Sequence, residues 1–142
     1  MKCMSIDLGE VRIGIAVSDS MGIIANGLET YNRKNLNQDV DYMVKVIKDY
    51  NIKCCVLGLP INMNGTEGPR VEKSREFASL IEEKLKEQNI DCKIDYQDER
   101  LTTVSSERVL IESGMRRDKR KTVIDKIAAT IILQTYLDCH PN

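Results

Sequence analysis

Hydrophobic and polar residues alternate over residues 12–19, where Ile13, Ile15 and Val17 fall between smaller or polar neighbours. That spacing predicts a strand, because successive side chains of an extended chain point to opposite faces. Residues 2–8, closed by Gly9, and residues 23–31, entered through Met21-Gly22, read as two further strands joined by short turns. Three strands connected in this way form an antiparallel meander. The period then changes. Leu36, Val40, Met43, Val44 and Ile47 recur at helical spacing and predict an amphipathic helix over residues 36–50. CCVLGL at 54–59 is a continuous apolar run, suited to a strand buried on both faces, and Pro60 ends it. Pro69 suits the first position of a second helix, whose apolar face carries Val71, Phe77, Ile81 and Leu85. A fifth strand over 91–97, a helix near 102–113 ending before Gly114, and a last helix over 123–138 complete the pattern.

The order is βββ-α-β-α-β-α. Right-handed crossovers after the meander give a mixed five-stranded sheet, three strands antiparallel and then two parallel, flanked by helices. The expected fold class is α/β, in one domain spanning residues 1–142. Hydrophobic residues at 42% and charged residues at 30% suit a globular chain of that kind. The opening MKCMSIDLGE lacks the apolar run of a signal peptide, and no stretch approaches the roughly 20 apolar residues of a membrane span. A cytoplasmic protein with no membrane association is expected. The five cysteines are odd in number and form no C-x-x-C pair, so they read as small apolar residues of the core. The single histidine, His140, adjoins Cys139 in what reads as a frayed tail.

Three places carry candidate chemistry. Asp7 ends the first strand just before the Gly9 turn, where a carboxylate either bonds the turn backbone or meets a ligand at the sheet edge. The fifth strand runs into Asp98 and Glu99. Strands one, four and five are parallel in this topology, so their carboxyl ends share one edge. With strand four in the middle, the outer two lie roughly 10 Å apart. Carboxylates leaning inward from them can share metal ions about 3.5–4 Å apart. Alternation sends Asp98 and Glu99 to opposite faces, and Glu99, with the longer reach, is the favoured ligand of the two. Asp125 lies in the first turn of the predicted last helix, where an acid also suits the helix dipole. Ala128 and Ala129 follow it on the same helix side and allow a close approach to the sheet. Asp7, Glu99 and Asp125 are therefore the expected metal ligands, with Asp98 beside them as a further catalytic candidate.

The net charge of −1 does not mark a nucleic-acid binder, but the distribution of cations does more than their total. Arg12 follows the first turn, Arg100 follows the paired acids, and Arg70 begins a helix just after Gly65-Thr66-Glu67-Gly68. Residues 116–121 read RRDKRK, and a mobile basic loop over 114–122 places Arg116, Arg117, Lys119 and Arg120 where they can grip phosphate. The alternative for that run is a solvated loop.

Four motifs, IDLGEVRIGIAVSD (6–19), GLPINMNGTEGPR (58–70), DERLTT (98–103) and DKIAATIILQTYL (125–137), stand in an order that resembles the YqgF (RuvX-like) branch of the ribonuclease H-like superfamily. The resemblance covers nearly the whole chain. It implies the ribonuclease H-like fold. Asp7, the Asp98-Glu99 pair and Asp125 match the candidate catalytic acids of the family. It also implies a role in maturing the 5′ end of pre-16S ribosomal RNA, and resolution of Holliday junctions as the alternative. Resolvases of the RuvC type carry an acid at the end of the fourth strand. Here that position reads Gly58-Leu59-Pro60, and Glu67 is the nearest acid.

The resulting expectation is a nuclease that hydrolyses phosphodiesters with Mg2+ or Mn2+, hard ions that take an all-oxygen site. Its substrate is nucleic acid: pre-16S rRNA, or alternatively branched DNA. A monomer is expected, since no long apolar stripe remains for a dimer face, while a resolvase acting on a two-fold junction calls for a dimer. Two rival readings are a non-catalytic RNA-binding or transcription factor, and a sugar-kinase or actin-like ATPase. The second needs two lobes, and 142 residues supply one.

Overall fold

The computed structural model describes residues 1–61, 64–65, 67–98 and 117–140, and for 117–125 the backbone alone. The strands are β1 (Cys3–Leu8), β2 (Arg12–Ser18), β3 (Ala25–Asn32), β4 (Cys54–Leu59) and β5 (Lys93–Asp98). The helices are α1 (Leu36–Asp49), α2 (Pro69–Glu87) and α3 (Arg117–Cys139). One sheet has the order β3-β2-β1-β4-β5. β1–β2 and β2–β3 pair antiparallel, and β1–β4 and β4–β5 pair parallel.

The continuous apolar run of β4 is explained by its place. It lies between β1 and β5, and all six of its residues are buried. Odd residues of β1 face α3, and even residues face α1 and α2. Ile6, Leu57 and Tyr96, partners across three strands, pack with Phe77 and Ile81 on the α1–α2 side. Cys3, Cys54 and Val56 pack with Ile132, Leu133 and Tyr136 on the α3 side. Helix starts follow local chemistry. The Asn35 side chain accepts the Gln38 N–H at 2.9 Å, capping α1, and Pro69 opens α2 after Gly68.

Several expectations need correction. β3 begins at Ala25 rather than residue 23, because the Asp19 carboxylate accepts the N–H groups of Ile23 and Ile24 at 2.7 and 3.0 Å and holds them in the turn. The last helix begins at Arg117 rather than residue 123. Residues 117–122 are thus helical and not a mobile loop. Arginine and lysine are good helix formers, and no glycine or proline interrupts this stretch. Asp125 consequently lies at the ninth position of α3, beyond the first turn, so the helix dipole does not account for it. The predicted helix near 102–113, with residues 114–116, falls outside the described residues. The tail is also more ordered than expected. The His140 ring stacks on Tyr136 with centroids 4.1 Å apart. Cys3, Cys54 and Cys55 are buried as expected, but Cys139 is exposed on the last turn of α3.

Candidate active site at the carboxyl edge of the sheet

Asp7 is the next-to-last residue of β1 and lies on the face that α3 covers, directly across from Gly14 of β2. On the other side, Gly58 follows Leu57, the β4 partner of Ile6. Asp7 therefore stands between two glycines on its own face, and neither adds a side chain beside the carboxylate. Arg12, two residues before Gly14 on β2, falls on the same face and at the same edge. The turn joining the two strands is tight. The Gly9 N–H donates to the Arg12 carbonyl at 2.9 Å, and a Cβ added at Gly9 would come within 2.5 Å of that oxygen. Only glycine fits this close backbone approach.

α3 crosses the same face antiparallel to β1. The buried Ser5 hydroxyl donates to the Ala129 carbonyl at 2.5 Å, while Tyr136, two turns later, reaches Cys54 and Asp95 near the opposite edge. Ala128 and Ala129 are fully buried, as their small side chains suggested. Ser5 and Asp7 are about 7 Å apart along the strand. Asp125 precedes Ala129 by about 6 Å along the helix axis, in the matching direction. The backbone of α3 at Asp125 thus travels toward the edge where Asp7 ends its strand.

Asp98 is placed differently. It pairs with Leu59 and alternates with Gln97, so it falls on the α1–α2 face with Tyr96, opposite to Asp7. Glu67, the acid nearest the end of β4, is held by Arg75 at 2.9 Å, and the Arg75 guanidinium lies over the Tyr96 ring. Arg70 lies in the first turn of α2, exposed. Glu99, Arg100 and Arg116 lie outside the described residues. Arg117, Lys119 and Arg120 belong to the first two turns of α3.

The sequence reading missed two cations. Arg33 and Lys73 join Arg70, Glu10, Leu8 and Gly9 around a cavity of about 300 Å³ at the carboxyl end of β1. Arg33 is fixed there by three contacts. Its Nε donates to Asp39 at 2.9 Å, its Nη1 donates to the Gly9 carbonyl at 2.9 Å, and its guanidinium lies over Phe77. The Asp39 side chain is 1% exposed. Burial is the largest influence on its carboxyl and pushes the pKa up. The Lys34 N–H, the Arg33 guanidinium and the Tyr31 hydroxyl outweigh it and hold the group below the ordinary carboxylate value. Lys73 was legible as the residue three after Arg70 on one helix side. Arg33 was not, because only the packing of α1 brings Asp39 against it.

The donors at this edge also bear on metal chemistry. Cys3, Cys54 and Cys92 stand at the opposite, amino edge of the parallel strands, and Cys139 and His140 end α3. Among the described residues, soft ligands are thus kept away from the Asp7 carboxylate. Among the described residues, no group of three or more potential ligands is close enough to hold an ion. Also among them, no helix is long and apolar enough to cross a membrane.

Comparisons with known proteins agree with this architecture. The RuvX family model, described as Holliday junction resolvase, matches residues 1–139. A protein of Heliobacterium modesticaldum named "Putative pre-16S rRNA nuclease" is 47% identical over 138 residues, covering 97% of this chain and 89% of that one. One of the same name from Streptococcus equi subsp. equi is 46% identical over 143 residues, covering 99% of each. Among solved structures, RuvC of T. thermophilus in complex with a Holliday junction substrate aligns with a TM-score of 0.59 at 10% identity, covering 99% of this chain and 96% of that one. The fowlpox virus resolvase with its Holliday junction DNA aligns at 0.60 and 15% identity, covering 100% of both. At such identities the likeness concerns the fold, and the ribonuclease H-like α/β sheet expected from the sequence is the one observed.

Proposed function

The chain belongs to the RuvX family, and on that premise we propose that it is a metal-dependent nuclease that hydrolyses phosphodiester bonds in the 5′-end processing of pre-16S rRNA. One observation carries the reading. Asp7 stands next to last in β1 on the face covered by α3, and the Ser5–Ala129 bond sets α3 in a register whose backbone at Asp125 runs toward the same edge. The β5 acid in this reading is Glu99. Asp98 falls on the far face from Asp7, which disfavours it for that role.

Asp7, Glu99 and Asp125 would hold the ion or ions, magnesium or manganese. A hard divalent cation supplies positive charge to the phosphoryl oxygens and to the attacking water. Arg12, on the Asp7 face, draws a phosphate to the edge and offsets the negative charge that builds in the transition state. Arg117, Lys119 and Arg120 at the start of α3, together with Arg100 and Arg116, extend that attraction along the nucleic-acid backbone. The chain acts as a single cytoplasmic domain over residues 1–142, as a monomer. The test is cleavage of precursor ribosomal RNA by pure protein in magnesium or manganese. Wild type should cut, and Asp7→Asn should lose at least about 100-fold in rate while remaining folded. Equal activity in the two proteins defeats the assignment of Asp7.

A second reading, Holliday junction resolution, is favoured by the description of the family and by the likeness to two resolvases solved with junction DNA. A synthetic four-way junction in the same assay decides it. Paired symmetric cuts by a dimeric protein support resolution, and cutting confined to the RNA supports rRNA processing.

A further inference from the structure

We infer that the cavity at the Gly9 turn is a phosphate site, taking a backbone phosphodiester of a nucleic-acid strand beside the one at Asp7. The identity of the anion rests on the nuclease reading above; the cavity and its cations do not. The turn Leu8-Gly9-Glu10 separates two compartments of the sheet edge. Asp7 and Arg12 lie on the α3 side, and the cavity lies on the α1–α2 side, starting one residue after Asp7. A strand drawn over the turn has successive phosphates on its two sides.

Three cations line the cavity, and one of them is built in. Arg33 spends Nε on the nearly inaccessible Asp39 carboxylate and Nη1 on the Gly9 carbonyl, and its guanidinium carbon lies 6.0 Å from the Phe77 ring centroid. An arginine held at three points loses little further freedom on binding, and its guanidinium is suited to phosphate oxygens. Arg70 and Lys73 stand one turn apart at the start of α2, both exposed. A second cavity of about 250 Å³ continues from the first, sharing Leu8, Arg33 and Lys73. Glu10 and Glu76 also line these spaces. They temper the field and favour a singly charged diester over a more highly charged anion.

Binding separates this inference from catalysis. The measurement is fluorescence anisotropy of a short single-stranded oligoribonucleotide, and of its DNA counterpart, across a salt series in EDTA. The Arg70→Ala/Lys73→Ala protein should bind more weakly, and its log K against log salt should flatten by about 0.7 for each lost phosphate contact. RNA and DNA should respond alike, because a phosphate is what is bound. Arg33→Lys, which keeps the charge but not the planar fork, should weaken binding without flattening the slope as far. Arg75→Ala is the control, since Arg75 is occupied by Glu67 and Tyr96 and lies outside the cavity; its slope should match wild type. An unchanged slope in the double variant overturns the inference, even if Asp7-dependent cleavage is intact. A flattened slope in a protein that cleaves nothing upholds the cavity and removes the nuclease reading instead. Failure of wild type to bind either oligonucleotide also overturns the inference.

Discussion

The Ser5 hydroxyl donates to the Ala129 carbonyl at 2.5 Å, joining residues 124 apart in sequence and setting the register of α3 on β1. Both residues are fully buried. A larger residue at position 5 would push the helix off the sheet. Ser5→Ala, which removes the bond and keeps the space, should cost about 1 kcal/mol of stability. Ser5→Leu should cost about 1–3 kcal/mol through overpacking and should also lower the cleavage rate of the protein that remains folded. Urea unfolding beside a cleavage assay separates the two effects; a Ser5→Leu protein with full activity would show that this register does not set the site.

The Gly9 turn gives a second expectation. Because the nearest atom to an added Cβ is the Arg12 backbone oxygen, at 2.5 Å, no side-chain rotation relieves the clash. Gly9→Ala should destabilise by about 2 kcal/mol and reduce cleavage, since the turn follows Asp7 directly. Thermal unfolding of the variant measures the first, and stability equal to wild type would contradict it.

Asp39 gives a pH dependence. Its folded pKa lies below the ordinary value of 3.8, so its stabilising contribution is fully present above that value. The contribution is lost as pH falls through the depressed folded value. Stability should therefore drop below about pH 4, and Asp39→Asn should remove that part of the profile. At neutral pH the same substitution should cost about 3 kcal/mol by leaving Arg33 without its buried partner. Urea midpoints measured above and below pH 4 for both proteins provide the check; parallel profiles would count against the assignment.

Metal binding should be visible without catalysis. An ion that binds only the native state adds about 2.7 kcal/mol at a hundred times its dissociation constant. For a chain of this size that corresponds to a rise of about 5–10 °C in melting temperature. Magnesium or manganese should raise the melting temperature of wild type and leave that of Asp7→Asn nearly unchanged. No shift with either ion would remove the metal site at Asp7.

The sequence by itself determined the order of the five strands and of the three described helices. Period-two alternation marked β2 to within one residue, the unbroken apolar run of β4 announced a strand buried on both faces, and Pro69 marked the start of α2 to the residue. These features are local, fixed by backbone geometry and burial within a few residues. It also placed Asp7 at a strand end beside a glycine turn, since that too is a statement about neighbours in the chain. Only the tertiary structure decided the rest. The face of Asp98 depends on the register of β5 against β4, which no single strand carries in its own sequence. Arg33 became a fixed cation because folding brings the buried Asp39 and the Gly9 carbonyl to it from two other elements. Charge is written in the chain, but which charges are neutralised by burial and which are left facing a ligand depends on distances that only packing sets.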